Sequence, residues 1–105
     1  MSADPVPNSA RGEAELVIAG QAHLLRPTFT ALVAAEGELG SLFALVERAS
    51  AGELRLEEMV ALFWYCLVDR PTISREAVGQ AVVAHGLAGV ARPLGVLLRQ
   101  ILQGG

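Results

Sequence analysis

The chain has 105 residues, one domain's worth, and a chain of that size buries only about 60–65% of its unfolded surface. It is 52% hydrophobic with a mean hydropathy of +0.44, yet its longest unbroken apolar run, residues 59–68, is about half the ~20 residues a bilayer span needs. Net charge is −3, and its eight basic residues are all Arg, scattered from Arg11 to Arg99, so no phosphate-tracking stripe forms and no nucleic-acid partner is expected.

Residues 1–11 carry Pro5, Pro7, Asn8 and Ser9 with little to bury, and are expected to be a disordered tail. The opening MSADPVPNSA has neither a basic n-region nor an apolar h-region, so no secretory leader is expected. A single cysteine precludes an internal disulfide and fits a reducing compartment. Residues 12–103 are expected to form a single domain.

In EAELVI the residues Ala14, Leu16 and Ile18 share one face, with Glu13 and Glu15 on the other, which predicts a half-buried strand. Ala19-Gly20-Gln21 supplies a turn, and residues 22–26 return as the second strand of a hairpin. Two strands alone are marginal in water, so the hairpin must lean on helices. Pro27 ends the strand and Thr28 can cap a helix over 29–39, with Phe29, Leu32, Val33 and Leu39 as its inward face. Gly40 stops it. Ser41 caps a helix over 42–49 whose apolar residues are Phe43, Leu45 and Val46, and Gly52 supplies a left-handed stop.

The central helix is predicted within residues 53–69. Leu56, Met59, Val60, Phe63 and Leu67 lie on one face, and Leu62, Trp64, Tyr65 and Cys66 make its second half apolar nearly all round. Such a helix must be covered on every side. Glu57 and Glu58 suit its positive N-terminal end, whereas Arg55 is a poor cap by about 1 kcal/mol. Pro71 closes the segment. Ser74 can cap a helix over 75–84, with Ile73 and Val78 spaced as a hydrophobic staple. His85-Gly86 breaks or bends the chain. The last helix covers 87–103 with the stripe Leu94, Leu97, Leu98, Ile101 and Leu102, and Pro93 either kinks it or marks a restart. The fold class is α+β, predominantly α: an N-terminal β-hairpin followed by a bundle of four to five short helices.

No catalytic constellation is expected. His23 and His85 lie far apart with no carboxylate at a telling spacing, and Cys66 sits in the most apolar run, where a thiol is an inert small hydrophobe. Glu57 and Glu58 diverge by about 100° around a helix and do not converge as an acid–base pair. No Cys/His spacing suggests zinc and no glycine-rich turn suggests a phosphate loop. Cofactors are expected to be none. The excess of apolar residues reads instead as packing surface, part of it for other protein subunits.

Taken together, RGEAELVIAG, LRPTFTALVAAEGELG, SLFALVERASAGELRLEEMVALFWYCL and HGLAGVARPLGVLLRQIL resemble the small tail proteins of gene transfer agents and related tailed-phage-like particles. These are classed among phage tail assembly chaperones and also labelled tail tube proteins. The match runs from Arg11 to Leu102. The chain departs from that pattern at Arg55, where a small capping residue is usual, and at Phe63-Trp64-Tyr65, which is bulkier than the usual small-residue stretch. The resemblance implies no catalytic residues. It implies instead a chaperone that coats the helical, apolar tape-measure protein in the cytoplasm of a bacterial host before the tube polymerises.

An amphipathic helix laid in a groove would fit that task, and the expected partner-binding residues are Trp64, Tyr65, Leu94, Leu97, Leu98, Ile101 and Leu102. Other tail proteins or further copies of the chain are alternative partners; a membrane is not. The alternative roles are a structural tail tube subunit and a small helical regulatory or antitoxin-like protein.

Overall fold

The alternating residues at the start of the chain do build a hairpin. In the computed structural model, which describes residues 13–103, β1 (Ala14–Ile18) pairs antiparallel with β2 (Gln21–Leu25), from Ala14 opposite Leu25 to Ile18 opposite Gln21. The disordered tail expected over residues 1–11 lies outside the described residues. Ala14, Leu16 and Ile18 are buried and Glu15 and Val17 are exposed, as a period of two requires. Glu13, expected on the wet face, is buried instead, and its carboxylate accepts a 2.7 Å hydrogen bond from Arg26 Nε on the far side of the hairpin.

Two residues, Ala19 and Gly20, make the turn, with φ of 52° and 81°. Positive φ at both positions gives the hairpin turn whose twist matches the strands, and it is a strained choice for alanine. Ala19→Asn is therefore expected to stabilise the domain by up to ~1 kcal/mol. Thermal unfolding should show the gain as a rise of several degrees.

Four helices follow: α1 (Phe29–Leu39), α2 (Leu42–Ser50), α3 (Leu56–Cys66) and α4 (Arg75–Gln103), with a 3₁₀ turn at Arg70–Thr72. Their starts are chemical. The side-chain oxygens of Thr28, Ser41 and Ser74 accept from the backbone N–H groups of Ala31, Ala44 and Ala77 at 3.0–3.2 Å. Arg55 has no acceptor to offer at the start of α3. There only half of a capping box exists, with the Arg55 N–H donating to Glu58 at 3.0 Å. The end of α2 is a Schellman motif: the N–H of Gly52 (φ 74°) donates to Ala49 O and that of Glu53 to Arg48 O.

The central helix stops earlier than residue 69. Leu67 is extended (φ −64°, ψ 127°) and forms an antiparallel bridge to Leu25. The Arg26 N–H donates to Cys66 O at 2.7 Å, and the Val68 N–H donates to Leu24 O at 3.1 Å. The chain leaving α3 thus gives the hairpin a short third partner, which is how two marginal strands are held.

Phe63, Leu62, Cys66 and Leu25 are fully buried with Val78, Val82, Val90 and Leu97 of α4, so α3 is covered from several sides. The face of α1 differs from expectation, whereas of the apolar residues named for α2 only Phe43 stays outside. α1 buries Ala31 and Ala35, leaves Leu32 and Leu39 half-buried, and exposes Phe29 and Val33; α2 buries Leu42, Leu45 and Val46 and exposes Phe43. Small residues at i and i+4 present a flat surface to the core and leave the bulkier Phe29 and Val33 outside.

The break in α4 falls at Gly86, with φ 79° and ψ 162°, and Pro93 lies inside the helical arm that follows. Of the two devices expected near here, the His85-Gly86 break is realised and a restart at Pro93 is not. Pro93 cannot donate to the Gly89 carbonyl, but Gly89 is exposed, so water can. By length and composition α4 could cross a membrane. It is broken at Gly86, and each arm buries residues in the domain, Val78 and Val82 from the first and Val90 and Leu97 from the second.

Candidate partner-binding surfaces

Trp64 and Tyr65 project from the end of α3 into a network rather than into open solvent. The Trp64 indole N–H donates to Ile73 O at 2.9 Å, and the two rings meet edge to face with centroids 5.1 Å apart. The guanidinium of Arg75 lies 4.7 Å from the Trp64 ring centroid and that of Arg70 lies 5.1 Å from it. Glu38, at the end of α1, accepts two hydrogen bonds from Arg75 (2.6 and 2.9 Å) and one from the Tyr65 hydroxyl (2.7 Å). Arg75, then Tyr65, hold the Glu38 carboxyl below its ordinary value. Both aromatic residues are half-buried. What they do in this structure is tie α1, α3 and α4 together.

The C-terminal stripe is mostly turned inward as well. Leu97 is fully buried, Leu94, Leu98 and Ile101 are half-buried against the core, and Leu102 alone of the five is exposed. Sequence periodicity finds such a stripe but carries no label saying whether its cover is internal or external.

Large apolar side chains are also left uncovered on the first two helices. Phe29 is 84% exposed and Val33 52%, one turn apart on one face of α1, and Phe43 at the start of α2 is 66% exposed. Two of the chain's three phenylalanines therefore stand in water. A second feature is a groove of about 1070 Å³ between the end of α1, the start of α3 and the first arm of α4. Its walls include Leu39, Leu56, Val60 and Val83, with Glu57 and Glu76 among its carboxylates.

The two histidines and the cysteine are engaged structurally. His23 Nδ1–H donates to Asp69 at 3.2 Å and His85 Nε2–H to Val17 O at 2.7 Å. Burial pushes the Cys66 thiol up to about 12, far from a reactive thiolate. Among the described residues, no three His, Cys, Asp or Glu groups converge as metal ligands would.

Glu58 is pulled down to about 2, first by the Arg48 guanidinium that donates to it at 2.6 Å and then by the Arg55 N–H. The folded value lies below the ordinary 4.5, so the stability Glu58 contributes is complete above that pH and lost as pH falls toward 2. Glu58→Gln should flatten the acid limb of a Tm-against-pH curve within that window. An unchanged limb would mean the carboxylate contributes nothing.

A family model described as "Phage tail tube protein, GTA-gp10" matches residues 11–104. No curated protein and no solved structure matches the chain.

Proposed function

This chain belongs to the phage tail tube protein family described as GTA-gp10, and from that premise we propose that it is a non-enzymatic tail assembly protein that docks other tail proteins through the outer faces of α1 and α2. One observation carries this reading: Phe29, 84% exposed, and Phe43, 66% exposed, stand in water beside Val33, while the chain's other phenylalanine, Phe63, is fully buried. Exposed aromatic residues on rigid helices are the usual anchors of a protein interface. An amphipathic helix laid across such a face, by its apolar stripe, is the simplest match.

The partner in this reading is the tape-measure protein, and the role is that of an assembly chaperone in the cytoplasm of the bacterial host. The family's description as a tube protein favours a second reading, a subunit retained in the finished tail. Against it, the described residues offer only one hairpin and a short bridge for the β-rich ring that a tube subunit would contribute. A regulatory or antitoxin-like role would instead call for one defined partner unconnected with tails.

Co-expression with the tape-measure protein, followed by size exclusion with light scattering, tests the reading. The wild type should elute as many copies on one tape-measure chain, and Phe29→Ala/Phe43→Ala should lose at least ~10-fold in affinity while keeping its Tm within about 2 °C. A wild type that ignores the tape measure but is recovered from purified particles would replace the chaperone role with the structural one.

A further inference from the structure

The second arm of α4 carries a face that nothing in the domain covers. Ala88, Arg92, Gly95, Arg99 and Leu102 follow one another at four- and three-residue steps, one stripe of a helix. All are exposed except Gly95, which is half-exposed and has nothing within 4 Å of where a Cβ would stand. Arg92 and Arg99 lie two turns apart, about 10 Å along the axis. Among the described residues neither forms an ion pair or a side-chain hydrogen bond. The opposite side of the same arm is held in the core by Val90 and Leu97.

The groove between α3 and the first arm of α4 has the complementary character. Its apolar wall includes Leu56 and Val83, 47% and 68% exposed, a poor surface to leave in water. Four carboxylates line it against one guanidinium. Glu38 and Glu58 are already tied to Arg75 and Arg48. Glu57 is opposed only by exposed Arg55 at 3.8 Å, and Glu76 has no side-chain partner among the described residues.

We propose that the Arg92–Arg99 face of one copy docks in the acidic, apolar groove of a second copy. Docking within one molecule is precluded, because the arm that carries the stripe is fixed to its own core by its other side. The small residues Ala88 and Gly95 let the helix backbone approach the groove, Leu102 adds an apolar contact, and the two guanidiniums reach Glu57 and Glu76. The two surfaces are different, so the contact is heterologous and propagates head to tail, as an open chain or a closed ring. It uses neither Phe29 nor Phe43, and so stands or falls separately from the tape-measure reading.

The test is sedimentation velocity on the full chain at low and high salt. Wild type should self-associate, more weakly at high salt because the charges lie at the surface. Arg92→Glu/Arg99→Glu and Glu57→Arg/Glu76→Arg should each lose association by at least ~10-fold, and mixing the two should restore it, since each supplies the face that complements the other's. Thermal unfolding of each variant separates loss of docking from loss of fold. A salt-independent monomer for the wild type would overturn the proposal. So would a pair of folded variants that associate like the wild type, or a mixture of them that stays monomeric. If the wild type is monomeric while the groove variant alone loses tape-measure binding, the groove belongs to that partner and self-docking is likewise overturned.

Discussion

Phe63→Ala is expected to destabilise the domain by about 3–5 kcal/mol, the cost of removing a fully buried ring from a site that cannot collapse around the cavity. The total stability of a domain this size is about 5–15 kcal/mol, so the variant should be close to unfolding at 37 °C. A fall of about 4–8 °C in Tm per kcal/mol makes the effect easy to read. The magnitude follows from where Phe63 stands: on α3, among the fully buried residues of β2, α2 and both arms of α4. Phe29→Ala removes the same ring from a position 84% exposed and should stay within about 0.5 kcal/mol of wild type. Urea denaturation followed by Trp64 fluorescence would measure both. If Phe63→Ala costs less than ~1 kcal/mol, α3 is not the element the core is built on.

The contrast between these two phenylalanines also marks what could be read in the sequence. Local chemistry was legible. Thr28, Ser41 and Ser74 cap helices where their spacing to the next apolar run predicts, and Gly52 closes α2. Those signals involve atoms a few residues apart. The bridge of Leu25 to Leu67 joins distant parts of the chain, and no local pattern announces that α3 will end at Cys66 to make it. The face of α1 failed for a related reason. Hydrophobicity ranks Phe29 and Val33 as inward, but packing chose Ala31 and Ala35, whose i, i+4 spacing was the available sign of a close-packed helix. The C-terminal stripe is legible as a stripe; its amphipathicity does not say that Leu97 is fully buried in the domain while Leu94, Leu98 and Ile101 are half-buried against its core.

Gly86→Ala should cost about 1–3 kcal/mol, because φ 79° with ψ 162° is a region that only glycine occupies freely. No atom lies within 4 Å of where the new methyl would stand, so the penalty is one of backbone conformation and not of crowding. Alanine could escape it by letting residues 85–87 turn helical, but that would straighten α4 into one rod. Val78 and Val82 precede the break and Val90 and Leu97 follow it, and all four are fully buried, so a straight α4 could not keep both pairs in the core. The strained and the straightened forms are therefore both worse than the native one.

Gly37→Ala provides the opposite sign. Gly37 lies within α1, exposed and with open space at its Cβ, so alanine there should stabilise by about 0.5–1 kcal/mol through helix propensity. Denaturation of the two variants, with far-UV circular dichroism to detect any gain of helix at residue 86, separates the cases. Stabilisation by both substitutions would show that α4 tolerates straightening and that the bend at Gly86 does not hold its second arm on the core. Opposite signs would mean that a single residue's backbone freedom lets one long apolar helix serve both sides of the same domain.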